Sequence, residues 1–390
     1  MNDLHDKFED RFGGAARLFR APGRVNLIGE HTDYNDGFVM PAAIDFSCWV
    51  AIGPREDRKL SIFSENMNES AEVDLAGTDP ELRPSGNWSD YPIGVAVMLA
   101  RAGYSLGGAN LYIRSDVPLG AGLSSSAAIE VSVGYALLQR SGHEVDPVEL
   151  ARLCQRAENE FVGARCGIMD QFTACHGRAG QAIMLDCRSL EYRALQLPET
   201  IDMVVCNTMV KHQLAAGEYN ERRAECEQAV QRLSSVKPDV RALRDVTSQE
   251  LEDHRDCLTG TLYRRTRHIV TENERVVSAA TALERGDVDA LRELMAASHR
   301  SLRDDYQVSC SELDVMVEIA NRQRGVYGAR MTGGGFGGCT INLVDKAHSA
   351  EFRRMVIEEY DSAIGYEPDI YVCQTSHGMQ EVRLAGQDAR

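Results

Sequence analysis

PLGAGLSSSAA, from Pro118 to Ala128, is the stretch around which the chain is organised. Gly120 and Gly122 provide a bend that larger residues resist, and three serines follow it directly. Apolar residues then recur at helical spacing as far as Leu138, which predicts a helix that begins beside the serines. Because the first turn of a helix has free N–H groups and a favourable dipole, the stretch predicts a phosphate site. An ordinary capped helix after a turn is the alternative, because glycine-rich turns before helices are common. The loop has no lysine, so it is not a Walker A motif.

Composition limits the class of protein. The chain has 390 residues, which is enough for roughly two or three domains, with 42 Lys plus Arg against 59 Asp plus Glu. The net charge of −17 gives a surface that repels nucleic acid and anionic membranes, so it favours a small-molecule ligand. We therefore predict no nucleic-acid partner and no membrane partner.

The cysteines and the first residues predict a cytoplasmic location. Eleven cysteines, an odd number, are scattered along the chain without a CxxC pair, which is typical of reduced thiols. The opening residues, MNDLHDKFEDRFGG, are charged and contain no apolar run, so we do not expect a signal peptide. No stretch approaches the ~18 apolar residues that a membrane span requires.

A dense polar segment follows the first predicted strands. Leu18–Ala21 and Arg24–Gly29 are predicted as two strands separated by a turn at Pro22–Gly23, and EHTDYNDG (Glu30–Gly37) comes next. The segment is either a polar hairpin loop, because Asn-Asp-Gly is a strong turn signal, or a site for a polyhydroxylated ligand. In the second interpretation Arg24 joins its carboxylates and imidazole, because such groups exchange hydrogen bonds with the paired hydroxyls of a sugar. The sequence leaves both interpretations open.

Two further carboxylates stand out in the first half. A helix is predicted from Asp146, its N-cap, to about Val162, and Glu158 lies at the edge of its apolar face. Glu158 is therefore either a solvated rim residue or a ligand for a hard cation. Asp170 lies among apolar neighbours, and because a lone buried carboxylate is costly, it is capped, paired or catalytic.

The second half differs from the first in its predicted secondary structure. From about Ile201 strands combine with long helices, which predicts a split β-α-β sandwich and, with the mixed first half, an α+β fold. Gly333, Gly335 and Gly338 match GxGxxG, but a strand follows them at once, so a dinucleotide site is excluded. Glycines between two strands instead let the backbone approach a ligand or another loop closely.

Five motifs together resemble the galactokinase family of the GHMP small-molecule kinase superfamily. The resemblance implies a GHMP-kinase-like fold with two domains, residues 1–199 and 200–390. The first domain would be a mixed β-sheet with helices, the second a ferredoxin-like split β-α-β unit, and the active site would lie in the cleft between them. The motifs are GRVNLIGEHTDYNDG (Gly23–Gly37), PLGAGLSSSAA (Pro118–Ala128), CGIMDQF (Cys166–Phe172), GEYNERRAEC (Gly217–Cys226) and MTGGGFGGCT (Met331–Thr340).

The resemblance also implies a role for each matching residue. Asp170 matches the family's proposed catalytic base, and Arg24 matches the residue that stabilises this base and the developing charge. Ser126 and Glu158 match the magnesium ligands. The implied sugar contacts are Glu30, His31, Thr32, Asp33, Gly167 and Tyr219, and the implied ATP contacts are Ser64, Trp88, Gly120, Ala121, Gly122, Leu123, Ser124, Ser125 and Ser126.

The activity implied by the resemblance is a transfer of phosphate from ATP, with Mg²⁺, to the anomeric hydroxyl of galactose. A sister kinase acting on N-acetylgalactosamine or arabinose would share nearly every motif. A protein that binds galactose and ATP as a sensor without turnover is the other alternative, although Ser126-Ala127, Glu158 and Asp170 are all intact. We expect galactose and ATP as partners of a monomer or weak homodimer.

Overall fold

The computed structural model describes residues 2–75, 82–211 and 215–383. The first half of the chain is a mixture of strands and helices without a regular βαβ series, as predicted. Its strands are β1 (Arg17–Asn26), β2 (Phe38–Val39), β3 (Pro41–Pro54), β4 (Lys59–Ser64), β5 (Glu69–Asp74), β6 (Ala109–Ser115), β7 (Gln181–Asp186) and β8 (Tyr192–Gln196). Its helices are α1 (Asn2–Phe12), α2 (Asp90–Arg101), α3 (Ser125–Arg140), α4 (Pro147–Arg156) and α5 (Met169–His176).

The second half is richer in helices. They are α6 (Ala215–Ser234), α7 (Ser248–Asp253), α8 (Gly260–Arg285), α9 (Val288–Ser301), α10 (Ser311–Arg322) and α11 (Ser349–Ile364). The strands of this half are β9 (Ile201–Lys211), β10 (Val326–Thr332), β11 (Gly337–Asp345), β12 (Asp369–Cys373) and β13 (Gln380–Val382).

The first sheet confirms the mixed topology expected of the first half. Its order is β13-β1-β3-β6-β4-β5, and β4 and β6 run parallel while the other pairs are antiparallel. Helix α3 packs on β1 and β3. Small and branched residues on its buried face, Ala128 and Val131 among them, allow this close approach. The N-terminus of α3 is thereby fixed beside the middle of the sheet.

The turn predicted at Pro22–Gly23 is wrong. Residues 17–26 form one strand, and the chain passes this dipeptide in a bulge between Pro22 and Arg24. A Cβ on Gly23 would lie 2.5 Å from the carbonyl oxygen of Leu123. The glycine therefore serves a close approach between the strand and the glycine-serine loop (Gly120–Ser126), and local sequence cannot show this contact.

The second sheet has the ferredoxin-like arrangement. Its order is β10-β11-β9-β12, and every pair is antiparallel. Alternate residues of β9 face opposite sides: Val204 and Cys206 pack with α10 and α11, whereas Met203 and Val205 join the core of the first half. The chain then returns to the first sheet, where Leu18 in β1 pairs with Val382 in β13. One apolar core thus spans both halves and fixes the cleft between them.

Candidate active site

A cleft of about 490 Å³ lies where the two halves meet. Its walls are formed by β1, the polar segment, the turn before α5, helix α6 and the late glycine run (Gly333–Gly338). Eight of the residues singled out from the sequence line it, namely Arg24, Glu30, His31, Asp33, Glu158, Gly167, Asp170 and Tyr219.

Asp170, in the first turn of α5, is held by three side-chain hydrogen bonds. Arg24 Nε donates to Oδ1 and Nη2 donates to Oδ2, each at 2.7 Å. Ser124 Oγ donates to Oδ2 at 2.5 Å. Burial opposes the charge on Arg24, but the nearby carboxylates of Asp170 and Glu30 outweigh it and raise the pKa of Arg24. The carboxylate has a fixed direction, and it is a paired carboxylate rather than a lone buried charge.

Arg24 also ties this carboxylate to the glycine-serine loop. Its Nη1 donates to the carbonyl oxygen of Gly122 at 2.7 Å, and its backbone N–H donates to that of Leu123 at 3.1 Å. Ser124 adopts a left-handed backbone with φ of 62°, which a residue other than glycine rarely accepts. The hydroxyl of the same residue, Ser124, contacts Asp170. The loop and the carboxylate are therefore joined by both Arg24 and Ser124.

The polar segment forms a turn around a short 3₁₀ helix at Asp33–Asn35. His31 has a φ of 65°, and its Nδ1 lies 2.8 Å from the hydroxyl of Tyr34. Burial, followed by the nearby His268, lowers the pKa of His31 to about 3, so its imidazole is neutral. The ring of Tyr219 stands 5.5 Å from that of His31. Neutral imidazole and aromatic faces suit a ligand that is polar but uncharged.

Asp33 is packed directly against Gly167. A Cβ on Gly167 would lie 2.0 Å from Asp33 Oδ2, so only glycine at this position leaves room for the Asp33 carboxylate. Burial, followed by the charge of Asp170, raises the pKa of Asp33 to about 7. Thr32 is different, because its hydroxyl lies 2.8 Å from the carbonyl oxygen of Gly29 and 2.6 Å from that of Phe38. Thr32 does not line the cleft and fixes the turn instead.

Glu30 joins the polar segment to the late glycine run. Its Oε1 accepts hydrogen bonds from Thr332 Oγ1 at 3.0 Å and Gly333 N at 2.9 Å, and it lies 3.2 Å from Arg330 Nη2. The glycines allow close backbone approach, as predicted, since a Cβ on Gly335 would lie 2.2 Å from the carbonyl oxygen of Val308. A strand, β11, follows this run, which confirms that it is no dinucleotide motif.

Glu158 belongs to a π-helical turn, Ala157–Val162, that continues α4. Such turns are frequent at functional sites, and nothing in the local sequence indicates one here. Burial, followed by the charge of Asp170, raises the pKa of Glu158 to about 7, while Ser126 and Gln171 act in the opposite direction as hydrogen-bond partners. A buried carboxylate facing a second carboxylate is suited to a cation, which relieves both.

Ser126 and Glu158 fit magnesium by their donor atoms. Magnesium is bound through one or two protein oxygens completed by phosphates and water rather than by an all-protein cage. Among the described residues there is no group of three or more His, Cys, Asp or Glu side chains that could hold a metal ion.

A second cavity, of about 130 Å³, lies beside the serines at the start of α3. Four residues that the sequence associated with ATP line it, namely Ser64, Trp88, Ser125 and Ser126. Within the loop, Gly120 and Gly122 are exposed and have φ of 73° and 70°, whereas Ala121 and Leu123 are buried. The loop is therefore anchored by its apolar residues and presents its backbone at the glycines, beside the N-terminus of α3.

Sequence reasoning missed three buried residues of the site. Arg330 pairs with Glu30, and Gln171 contacts both Glu158 and Glu130. Glu130 does carry a signal in the sequence, because it is a charged residue directly before Val131 on the buried face of a predicted helix. For Gln171 and Arg330 the sequence carries no comparable signal, since their partners are distant along the chain.

Two properties of the whole chain bear on its class. All eleven cysteines are free, as expected. Among the residues that the structure describes, no helix is both long enough and apolar enough to cross a membrane.

Three family signatures match the chain in order. The galactokinase galactose-binding signature matches residues 6–54, the GHMP kinase N-terminal domain matches residues 90–178, and the GHMP kinase C-terminal domain matches residues 279–362. The first covers the polar segment, the second the loop and Asp170, and the third the late glycine run.

Full-length relatives agree with the signatures. The chain is 46% identical over 381 residues to galactokinase of Roseiflexus sp. (strain RS-1), and 46% identical over 381 residues to that of Chloroflexus aggregans, with 97% of each chain covered. Lactococcus lactis galactokinase, solved with galactose, superposes with a TM-score of 0.93 at 39% identity, covering 98% of this chain and 99% of that one. Methanococcus jannaschii mevalonate kinase, at 18% identity and a TM-score of 0.65 over 93% of this chain and 99% of its own, shares the fold. The chain therefore belongs to the galactokinase family of the GHMP kinases.

Proposed function

We propose that the chain transfers the γ-phosphoryl group of ATP to the anomeric hydroxyl of galactose, giving galactose 1-phosphate and ADP. The observation that carries this proposal is the position of Asp170. Its carboxylate lines the cleft beside the polar segment and is bonded to Ser124 of the glycine-serine loop. A hydroxyl bound in the cleft and a phosphate bound on the loop would meet at this carboxylate.

Phosphoryl transfer depends mainly on positioning and charge stabilisation. Asp170 accepts the proton of the sugar hydroxyl or orients it, and Arg24 holds both oxygens of this carboxylate in place. The exposed backbone of the loop and the N-terminus of α3 hold the phosphates. Ser126 and Glu158 would hold a magnesium ion, which would supply positive charge to offset the charge of the phosphates.

The sugar would be bound by the remaining cleft residues. Asp33 and Glu30 are acceptors for its hydroxyls, and neutral His31 can donate or accept. Tyr219 supplies a ring face, and Gly167 leaves the space that Asp33 occupies. A site built from buried polar groups discriminates strongly between sugars, because a missing or misplaced hydroxyl leaves a protein group unpaired.

The remaining parts of the proposal concern the chain as a whole. We expect it to act in the cytoplasm, as a monomer or weak homodimer, with domains at residues 1–199 and 200–390. Free cysteines support the location. Strand β13 belongs to the first sheet, so the last strand of the second domain would pair with the sheet of the first domain.

A coupled assay of ADP release over a panel of monosaccharides tests this function. With ATP and magnesium we expect galactose to give the highest kcat/KM. A higher value for N-acetylgalactosamine or arabinose would assign the chain to a sister sugar kinase. Binding of galactose and ATP by calorimetry without sugar-dependent ADP release would identify a sensor.

A further inference from the structure

One side-chain amide bridges two carboxyl groups deep in the site. Gln171 and Glu130 are both completely buried. Gln171 Nε2 donates to Glu130 Oε2 at 3.0 Å and to Glu158 Oε2 at 2.7 Å. An amide nitrogen has two N–H groups, so this geometry accounts for both of them.

The bridge fixes the direction of Glu158. Its Oε2 accepts from Gln171 and also lies 3.5 Å from the thiol of Cys166. Both of these contacts are made through Oε2, and neither involves Oε1. Gln171 is fixed in turn by Glu130, because that contact determines how its amide is rotated.

The bridge also connects elements that carry other parts of the site. Glu130 lies one helical turn beyond Ser126 on α3, so the two residues share a face. Gln171 follows Asp170 directly on α5. A single amide therefore sets the spacing between the helix of the serine, the π-helical turn of Glu158 and the helix of the base.

We propose that Gln171 is a positioning residue that, held by Glu130, aims the carboxylate of Glu158 at the magnesium ion of the bound nucleotide. This inference rests on the proposed function, in which Glu158 holds that ion. Hydrogen-bond partners of metal ligands orient those ligands, and losing one typically costs ~10–100-fold in metal affinity or activity. A buried amide that only satisfied Glu130 would leave magnesium binding unaffected.

Calorimetric binding of ADP to the full-length chain, with and without magnesium, tests the inference without turnover. In the wild type we expect magnesium to increase ADP affinity. In Gln171→Met, which keeps the volume but has no amide, the magnesium concentration giving half of this increase should rise by ~10–100-fold. Galactose affinity should not change, because Gln171 does not line the cleft.

Two further sets of variants separate positioning from structural damage. Gln323 donates to Glu359 Oε1 at 2.8 Å, and neither residue lines the cleft, so Gln323→Met removes a similar bond and should leave magnesium dependence as in the wild type. Glu130→Gln keeps an oxygen that accepts from Gln171, whereas Glu130→Met does not. We expect only Glu130→Met to need more magnesium for the same increase in ADP affinity, and this pair of variants tests the inference if Gln171→Met does not fold.

Two contrary results have different meanings. Wild-type magnesium dependence in folded Gln171→Met, or in Glu130→Met, would overturn the positioning role. If the wild type itself showed neither magnesium-dependent ADP binding nor galactose phosphorylation, the proposed function would fail instead.

Discussion

Arg24 and Asp170 form a two-point ion pair across 146 residues of sequence, with both N–O distances at 2.7 Å. The pair joins β1 of the first sheet to the first turn of α5. Because Arg24 also donates to Gly122 in the glycine-serine loop, the pair links the side of the cleft that would hold the sugar to the side that would hold ATP.

Asp170→Asn should reduce kcat strongly while galactose still binds. The change keeps the shape of the side chain but removes the proton acceptor, and general-base assistance is typically worth ~10²–10⁴-fold. Arg24→Ala should also lower kcat. Since the two residues act as a unit, the double variant should be little worse than the worse single variant. Steady-state kinetics of the three proteins check this, and fully additive losses would show that the residues act independently.

Gly167→Ala should raise the KM for galactose. Its Cβ would collide with Asp33 at 2.0 Å, so the carboxylate must move out of position. The matched control is Gly260→Ala, because a Cβ there would meet nothing within 4 Å. Galactose titrations should show weaker binding for the first variant and unchanged binding for the second. Equal affinity in both would remove Asp33 from the sugar site.

Glu158 should make the ligand-free protein less stable as pH rises. Its pKa is raised from 4.5 to about 7, chiefly by burial, so between these values the folded state keeps a proton that the unfolded state has lost. Stability therefore falls as pH rises through this window, by up to about 3 kcal/mol for this group. Urea unfolding at about pH 5 and about pH 8 should show a smaller fall for Glu158→Gln than for the wild type. Identical falls would mean that Glu158 is not buried as described.

Glu30→Gln should destabilise the fold because it leaves Arg330 without its ion-pair partner. Both side chains are almost fully buried, and breaking a buried pair from one side costs ~3–5 kcal/mol. Glu358→Gln is the control, since its pair with Arg354 is exposed and such pairs contribute ~0–1 kcal/mol. Chemical unfolding of both variants measures the difference. Similar small losses would show that Glu30 does not stabilise the contact between the halves.

Elements with strong local signals could be predicted from the sequence. The helix capped by Asp146 is confirmed, and Asp146 Oδ1 accepts from Val148 N at 2.9 Å. Helix α3 also begins where the serines predicted it. The bulge at Pro22–Gly23 and the π-helical turn at Glu158 could not be predicted, because tertiary packing determines both.

The residue types in the sequence suggested the chemistry of the cleft, but the sequence did not show which residues are hydrogen-bond or ion-pair partners. Local sequence left Asp170 as capped, paired or catalytic, and only the fold brings Arg24 to it. Thr32 shows a different limit of prediction from the sequence, since its motif implied a sugar contact. It stands inside the polar segment, yet the turn directs its hydroxyl to backbone carbonyls instead of the cleft. Membership of a motif does not determine where a side chain points.

The most direct test of the central claim is NMR of the product made from galactose labelled with carbon-13 at the anomeric carbon. With ATP, magnesium and the wild-type chain, we predict a new anomeric signal split by coupling to phosphorus, with one ADP released per sugar consumed. Asp170→Asn should form the same product far more slowly. An anomeric signal that stays without phosphorus splitting while ADP accumulates would contradict transfer to the anomeric hydroxyl.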